Sequence, residues 1–251
     1  MAEETNFLTF IRTFTDFLTV AIHTILYERN IYPRTSFLSA RKYNFSVRQS
    51  RHPKVCKWIT DAVSAVETEL LKGIAERIAI VIFDVQDRPL ERFVFDVSRF
   101  PVVPVTEHLT PLDRRDDKGE SVSVLPVVDL EEQMRATMAR LSDCGTVIKP
   151  VPDDCTFTVV VELKDESEPP VGHPQAWIPV QPGLQKTVRA DEDGRHAERG
   201  AEVGGVKTTP VRSVAAGDML FEMWIEEGRA KYEEKPPSSL GSSSALAPSD
   251  K

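Results

Sequence analysis

Apolar residues between Phe7 and Leu26 recur at three- and four-residue spacing: Phe7, Phe10, Ile11, Phe14, Phe17, Leu18, Ala21, Ile22, Ile25 and Leu26. So wide a stripe predicts a helix from about Thr5 to Glu28, deep against a sheet and ended by Asn30 and Pro33. A second helix follows. Pro53 suits its first turn, Gly73 its C′ position, and Val55, Ile59, Ala62, Val63, Val66, Leu70 and Leu71 its inner face. Trp58 falls at the edge of that stripe, either a core-edge aromatic or a binding hot spot.

The period then changes from helix to strand. Ile78 to Phe83 is an unbroken apolar run, expected of a central strand buried on both faces. After the turn Gln86-Asp87-Arg88-Pro89, Phe93, Phe95 and Val97 share one face, while Arg92 and Asp96 flank Val94 on the other. A third helix is predicted from Asp129, with Glu132 completing a capping box and Leu130, Met134, Met138 and Leu141 inside. Thr156–Leu163 and Met219–Glu226 complete the predicted strands.

Between these elements the pattern weakens. Residues 34–51 read as a basic loop or irregular strand, with Lys42 to Val47 alternating weakly. Residues 101–127 carry Pro101, Pro104, Pro111 and Pro126 and a charged run, and read as a mobile surface insertion. Residues 164–207 are rich in Pro, Gly and acids, with one apolar island, Trp177-Ile178-Pro179-Val180. Within them 185–205, and beyond them the Pro/Ser/Ala-rich tail 233–251, are expected to be disordered.

Composition narrows the functional classes. The 251 residues suffice for one large domain or two small ones. A net charge of −8 argues against a protein built to coat nucleic acid, so direct DNA binding is not expected. The charge is uneven, since residues 28–57 hold eight Lys and Arg against Glu28 alone. That stretch is either a solvated surface or a contact for an acidic partner or DNA. Arg12, Asp16 and His23 interrupt the apolar segment 7–26, so a soluble helix and not a membrane span is expected. Ala2-Glu3-Glu4 is acidic where a secretory leader is basic, so no leader is expected. The cysteines Cys56, Cys144 and Cys155 are odd in number and form no CxxC, which favours a reducing compartment over a disulfide framework or a zinc site.

Catalytic chemistry is thin. The chain has no GxSxG, HExxH, P-loop or GxGxxG. His23 reads as a core-edge histidine, and Cys144 and Cys155 as buried thiols before nucleophiles. Asp153-Asp154 and Glu226-Glu227 read as surface or strand-end charges. No catalytic residue, cofactor or metal ligand is assigned. The positive signal is a strand, Thr156–Leu163, followed by a long arm that regains strand character at 208–226. Such an arm can wrap an extended peptide and add it to a sheet edge.

Several segments carry a family resemblance: Ile25-Leu26-Tyr27-Glu28-Arg29-Asn30-Ile31-Tyr32-Pro33, Arg41-Lys42-Tyr43-Asn44, His52-Pro53, and the hairpin at 78–97. Together they resemble the HORMA domain family. Arg88-Pro89-Leu90-Glu91-Arg92-Phe93-Val94-Phe95, Cys155-Thr156-Phe157-Thr158-Val159 and Met223-Trp224-Ile225-Glu226-Glu227 are most similar to its mitotic-arrest-deficient-2B type, the non-catalytic accessory subunit of translesion DNA polymerase zeta. The likeness spans roughly residues 7–98, 128–163 and 208–227.

The resemblance implies an α+β HORMA fold, with three helices packed on a mainly antiparallel sheet. It implies one domain over 1–232 that ends in a safety belt, 164–232. It implies an adaptor and not an enzyme, in the nucleus. Trp58 and Trp177 fall where the family clamps a proline-containing peptide of the polymerase catalytic subunit. Thr208, Glu222 and Trp224 fall on a belt surface that meets the C-terminal domain of the deoxycytidyl-transferase translesion polymerase, with Thr208 where the family has a larger aliphatic residue. Arg135 falls at a HORMA–HORMA dimer interface, whether homo- or heterodimer, and an AAA+ remodeller is a further implied partner. The alternative within the fold is a spindle-checkpoint or meiotic-axis HORMA adaptor.

Overall fold

The computed structural model describes residues 5–164 and 205–233, and the backbone of 187–190 and 196–199. Helix α1 (Phe7–Glu28) is capped by Asn6, whose Oδ1 accepts the Thr9 N–H at 2.9 Å. A hairpin follows, β1 (Phe37–Lys42) and β2 (Phe45–Ser50). Its two-residue turn, Tyr43-Asn44, takes positive φ at both positions (52° and 53°), the geometry that matches strand twist. The weak alternation of 42–47 is therefore one hairpin end with a turn inside it, not an irregular loop. Helix α2 (Pro53–Leu71) starts on Pro53 and ends at Gly73 with φ +70°, as the spacing predicts.

Strands β3 (Ala75–Phe83) and β4 (Pro89–Asp96) form the centre of the sheet. The segment 101–126 carries a short hairpin, β5 (Arg114–Arg115) and β6 (Ser121–Val122). Helix α3 (Val127–Ser142) and the single turn α4 (Cys144–Val147) lead to β7 (Thr156–Leu163). Strands β8 (Thr187–Ala190) and β9 (His196–Arg199) pair with each other. The chain closes with β10 (Gly205–Ala216), β11 (Met219–Gly228) and a 3-10 turn, Arg229–Lys231.

Five strands make the main sheet, in the order β10-β11-β4-β3-β7, and all neighbours are antiparallel. Register puts Ile80, Phe93 and Ile225 in one row, and Ile78, Phe95 and Met223 in the next. These rows face α1, whose ten stripe residues are all fully buried. Phe14 meets Phe221 and Phe100 edge-on at 5.3 and 5.1 Å, which orients the helix as well as burying it. The opposite face carries Ala79, Val81, Val94 and Val160, with Trp224 and Phe83 packed beside them.

Several expectations are corrected. Helix α3 begins at Val127, two residues before Asp129, with Pro126 at the cap and no side-chain capping bond. The capping box does not form because Asp129 lies inside the first turn and not at the cap, and Pro126 at the cap has no side-chain acceptor, though its carbonyl accepts the Leu130 N–H at 2.9 Å. Segment 101–127 touches the core at several points. Val124 and Leu125 are buried, His108 packs on Phe7, and the backbones of His108 and Leu112 bond to Leu8 and Thr5. Within 185–205, Thr187–Ala190 and His196–Arg199 form strands, and the rest lies outside the described residues, as does 234–251. Glu226, Glu227 and Arg29 are buried, against the expectation of surface charge.

Candidate partner-binding site

Strand β7 closes one edge of the sheet. Its inner side pairs with β3 from Ala75↔Leu163 to Phe83↔Thr156, and among the described residues no strand lies on its outer side. Outward N–H and C=O groups on such an edge are a template for an added strand. The start of the edge is aromatic. Phe157 meets Trp58 of α2 edge-on at 4.9 Å and Tyr32 at 6.3 Å. Trp58 stays 41% exposed, so it packs on the edge strand and still offers surface to a neighbour. Helix α2 runs alongside β7: Trp58 lies beside Phe157, and at the far end Lys164 Nζ donates to the Gly73 carbonyl at 2.8 Å.

Topology supplies the second part of the site. β7 and β10 are opposite edges of the sheet, four strand spacings apart, or about 19 Å. The chain leaves β7 at one edge and re-enters the sheet in β10 at the other. Trp177 is on the connection, 164–204, and lies outside the described residues.

The structure gathers Thr208, Glu222 and Trp224 on one face. Glu222, Trp224 and Glu226 alternate along β11, and Thr208 is opposite Glu226 in the register. This is the face away from the helices. Trp224 Nε1 donates to Glu226 Oε1 at 3.0 Å, and the Arg77 guanidinium lies 5.9 Å from its ring. Arg92 Nη1 reaches Glu226 at 3.3 Å and Nη2 bonds Glu162, while Arg77 bonds Asp96 at 3.1 Å and Glu162 at 3.3 Å. These ion pairs hold the apolar patch in a charged frame. Arg135 sits elsewhere, on α3, with its side chain 42% exposed and Glu132 3.8 Å away. Exposed i,i+3 pairs of that length are weak, so Arg135 is available to a partner.

Much of the basic stretch 28–57 is used internally. Arg29 is buried, Arg34 and Arg48 lie 4.7 and 4.9 Å from the Tyr27 ring, and Lys57 bonds Asp61. Burial pushes the thiols of Cys144 and Cys155 up to about 12 and about 11, values that disfavour a nucleophilic thiolate. The sequence offered Trp58 but not its partners. Phe157 and Tyr32 are plain strand and loop aromatics until the sheet order makes β7 an edge.

A family model described as "HORMA domain" matches residues 11–209. The chain is similar to the DNA polymerase zeta processivity subunit of Schizosaccharomyces pombe, 33% identical over 85% of this chain and 91% of that protein. It is 30% identical to the mitotic spindle assembly checkpoint protein MAD2B of Danio rerio, over 86% of this chain and 90% of that protein. Among solved structures it is similar to C. elegans HTP-2 bound to a HIM-3 closure motif, with a TM-score of 0.59, 13% identity, and 89% and 92% of the two chains covered.

Proposed function

The chain belongs to the HORMA domain family, and on that premise we propose that it is the accessory subunit of DNA polymerase zeta, a nuclear adaptor for translesion synthesis. The HORMA domain is a non-catalytic adaptor domain, so the chain contributes binding and not chemistry. An extended peptide of the polymerase catalytic subunit adds to the outer edge of β7. Its main chain pairs with the strand, and a proline or apolar residue packs on Trp58 beside Phe157. The connection 164–204, with Trp177, passes over it as a belt. A peptide held this way leaves only when the belt opens, so release is slow without a large interface. The face carrying Thr208, Glu222 and Trp224 recruits the C-terminal domain of the deoxycytidyl-transferase polymerase, Arg135 serves pairing with another HORMA domain, and an AAA+ remodeller is a further partner.

The observation that carries this reading is the β7 edge, which has no outer strand among the described residues and an exposed tryptophan at its start, in a chain that re-enters the sheet at the opposite edge. The name of the fission-yeast relative, a processivity subunit of this polymerase, and the closure motif bound by HTP-2 agree with it. The test is binding of peptides tiled along the polymerase catalytic subunit. Trp58→Ala and Trp177→Ala should each weaken the bound peptide by on the order of 30-fold, the scale of a buried aromatic anchor. Unchanged affinity in both variants would remove the assigned site.

A further inference from the structure

We propose that the residues after β11, Arg229–Glu233, form a clasp that holds the β10–β11 hairpin on β4, with Lys231 as its keystone. As it rests on the peptide-trapping function above, the clasp also sets how long a trapped peptide stays.

The starting point is an unfavourable pair. In the β11–β4 register Glu227 lies directly opposite Glu91, and both are fully buried. Like charges facing each other across a ladder repel, the more so away from water. Lys231 resolves the conflict. Its ammonium, whose side chain is also fully buried, donates to Glu91 Oε1 and to Glu227 Oε1 together. On the other side of Glu91, Arg29 donates from Nε at 2.8 Å and from Nη2 at 2.6 Å, and Nη2 also reaches the Lys149 carbonyl at 2.5 Å. The chain Arg29–Glu91–Lys231–Glu227 is formally neutral and joins the end of α1, β4, β11 and the last turn. Lys207 of β10 extends it, with Nζ 3.6 Å from Glu227 Oε2. Further ties close the segment: the Lys149 ammonium sits 4.9 Å from the Tyr232 ring, and Arg88 Nη1 donates to Glu233 at 3.0 Å.

Buried ion pairs add little net stability over apolar packing, but removal of one member leaves an uncompensated charge. A network of this kind therefore favours one arrangement sharply over partly open ones. Peeling β11 from β4 carries Glu227 and Lys231 away together, so it breaks the buried Lys231–Glu91 pair and leaves Glu91 to Arg29 alone. The lysine is thus a positioning residue for the closed hairpin.

The test uses the full chain. In the unbound protein, Lys231→Met should speed amide exchange in β11 residues 222–227 by at least about tenfold and leave β3 residues 78–82 unchanged. It should speed release of a trapped catalytic-subunit peptide in parallel. Adding Glu227→Gln should restore slow exchange and slow release, because the facing charges are gone and the Arg29–Glu91 pair is intact. If Lys231→Met yields no folded protein but the double variant does, that rescue gives the same answer. Equal acceleration in β3, no change in β11, no rescue by Glu227→Gln, or failure of both variants to fold would each overturn the clasp. If the wild type traps no peptide at all, the peptide-trapping function fails, while the exchange measurements still decide the clasp.

Discussion

His23 shows how much one side chain depends on its surroundings. Its Nδ1 accepts the Ser50 N–H at 3.4 Å, and burial lowers its pKa from 6.5 to about 4. An unfolded chain takes up the proton as pH falls through 6.5, and the folded one does not until about 4. The neutral ring therefore contributes stability that is complete above pH 6.5 and is lost as pH falls toward 4, by at most roughly 3 kcal/mol. His23→Gln keeps an acceptor for the Ser50 amide and does not titrate. Its urea unfolding free energy should fall less than that of the wild type between pH 7 and pH 5; an identical fall would place the titration elsewhere. The helical pattern marked His23 as a core-edge residue, but the strand end that bonds it is distant in the chain. The same holds more strongly for Glu227: at the strand end it read as solvated, and Lys231, four residues on, is what makes its burial tolerable.

At the scale of elements, the β10–β11 hairpin is held at both ends. Its far end carries the clasp. Its turn, Gly217-Asp218, docks on the chain before α3, where Asp218 N donates to the Val124 carbonyl at 3.0 Å and Arg114 of the β5 strand lies 3.5 Å from the Asp218 carboxylate. Gly217 has φ +62°, and a Cβ there would stand 2.0 Å from the Val124 oxygen. Gly217→Ala must therefore strain the backbone and push the turn off its dock. We expect a loss of more than about 1 kcal/mol, and a melting temperature lower by at least roughly 2–4 °C. An unchanged melting curve would show that the turn is not held. This contact also gives the segment 101–126 a role that its prolines hid. It ties the start of α1 to the hairpin turn, and its anchoring residues, Val124 and Leu125, are too few to produce a periodic signal.

At the scale of the molecule, the β7 edge, which has no outer strand among the described residues, and the patch around Trp224 are separated. One lies at β7, and the other lies on β11 toward the opposite side of the sheet. An adaptor that engages two partners at once needs such a separation, and translesion synthesis by two polymerases in turn would use it. Loss of the protein should sensitise cells to ultraviolet damage and leave growth on a microtubule poison unchanged. The reverse pattern in the deletion strain would favour the spindle-checkpoint or meiotic-axis alternative. The net charge of −8 sets a further constraint on the proposed function, which would bring the molecule to DNA through its partners and not by its own field.

Local periodicity was enough to locate the three long helices and the strands at 78–83, 93–97, 156–163 and 219–226, because burying one face imposes a period of 3.6 or 2 on the residues that do it. Trp58 stood out at the edge of a helical stripe, whereas Thr208, Glu222, Trp224 and Arg135 were candidates only through the family resemblance. Which of them share a surface was not legible. The order of strands makes β7 an edge, sets Trp58 against Phe157, and turns Thr208, Glu222 and Trp224 to one side. The burial of Arg29, Glu91, Glu227 and Lys231 was also invisible in the chain, because a charge becomes tolerable inside only when residues up to 140 positions away supply its counter-charge. Periodicity records which face of an element is buried; only tertiary structure decides what that face, and each charge on it, is buried against.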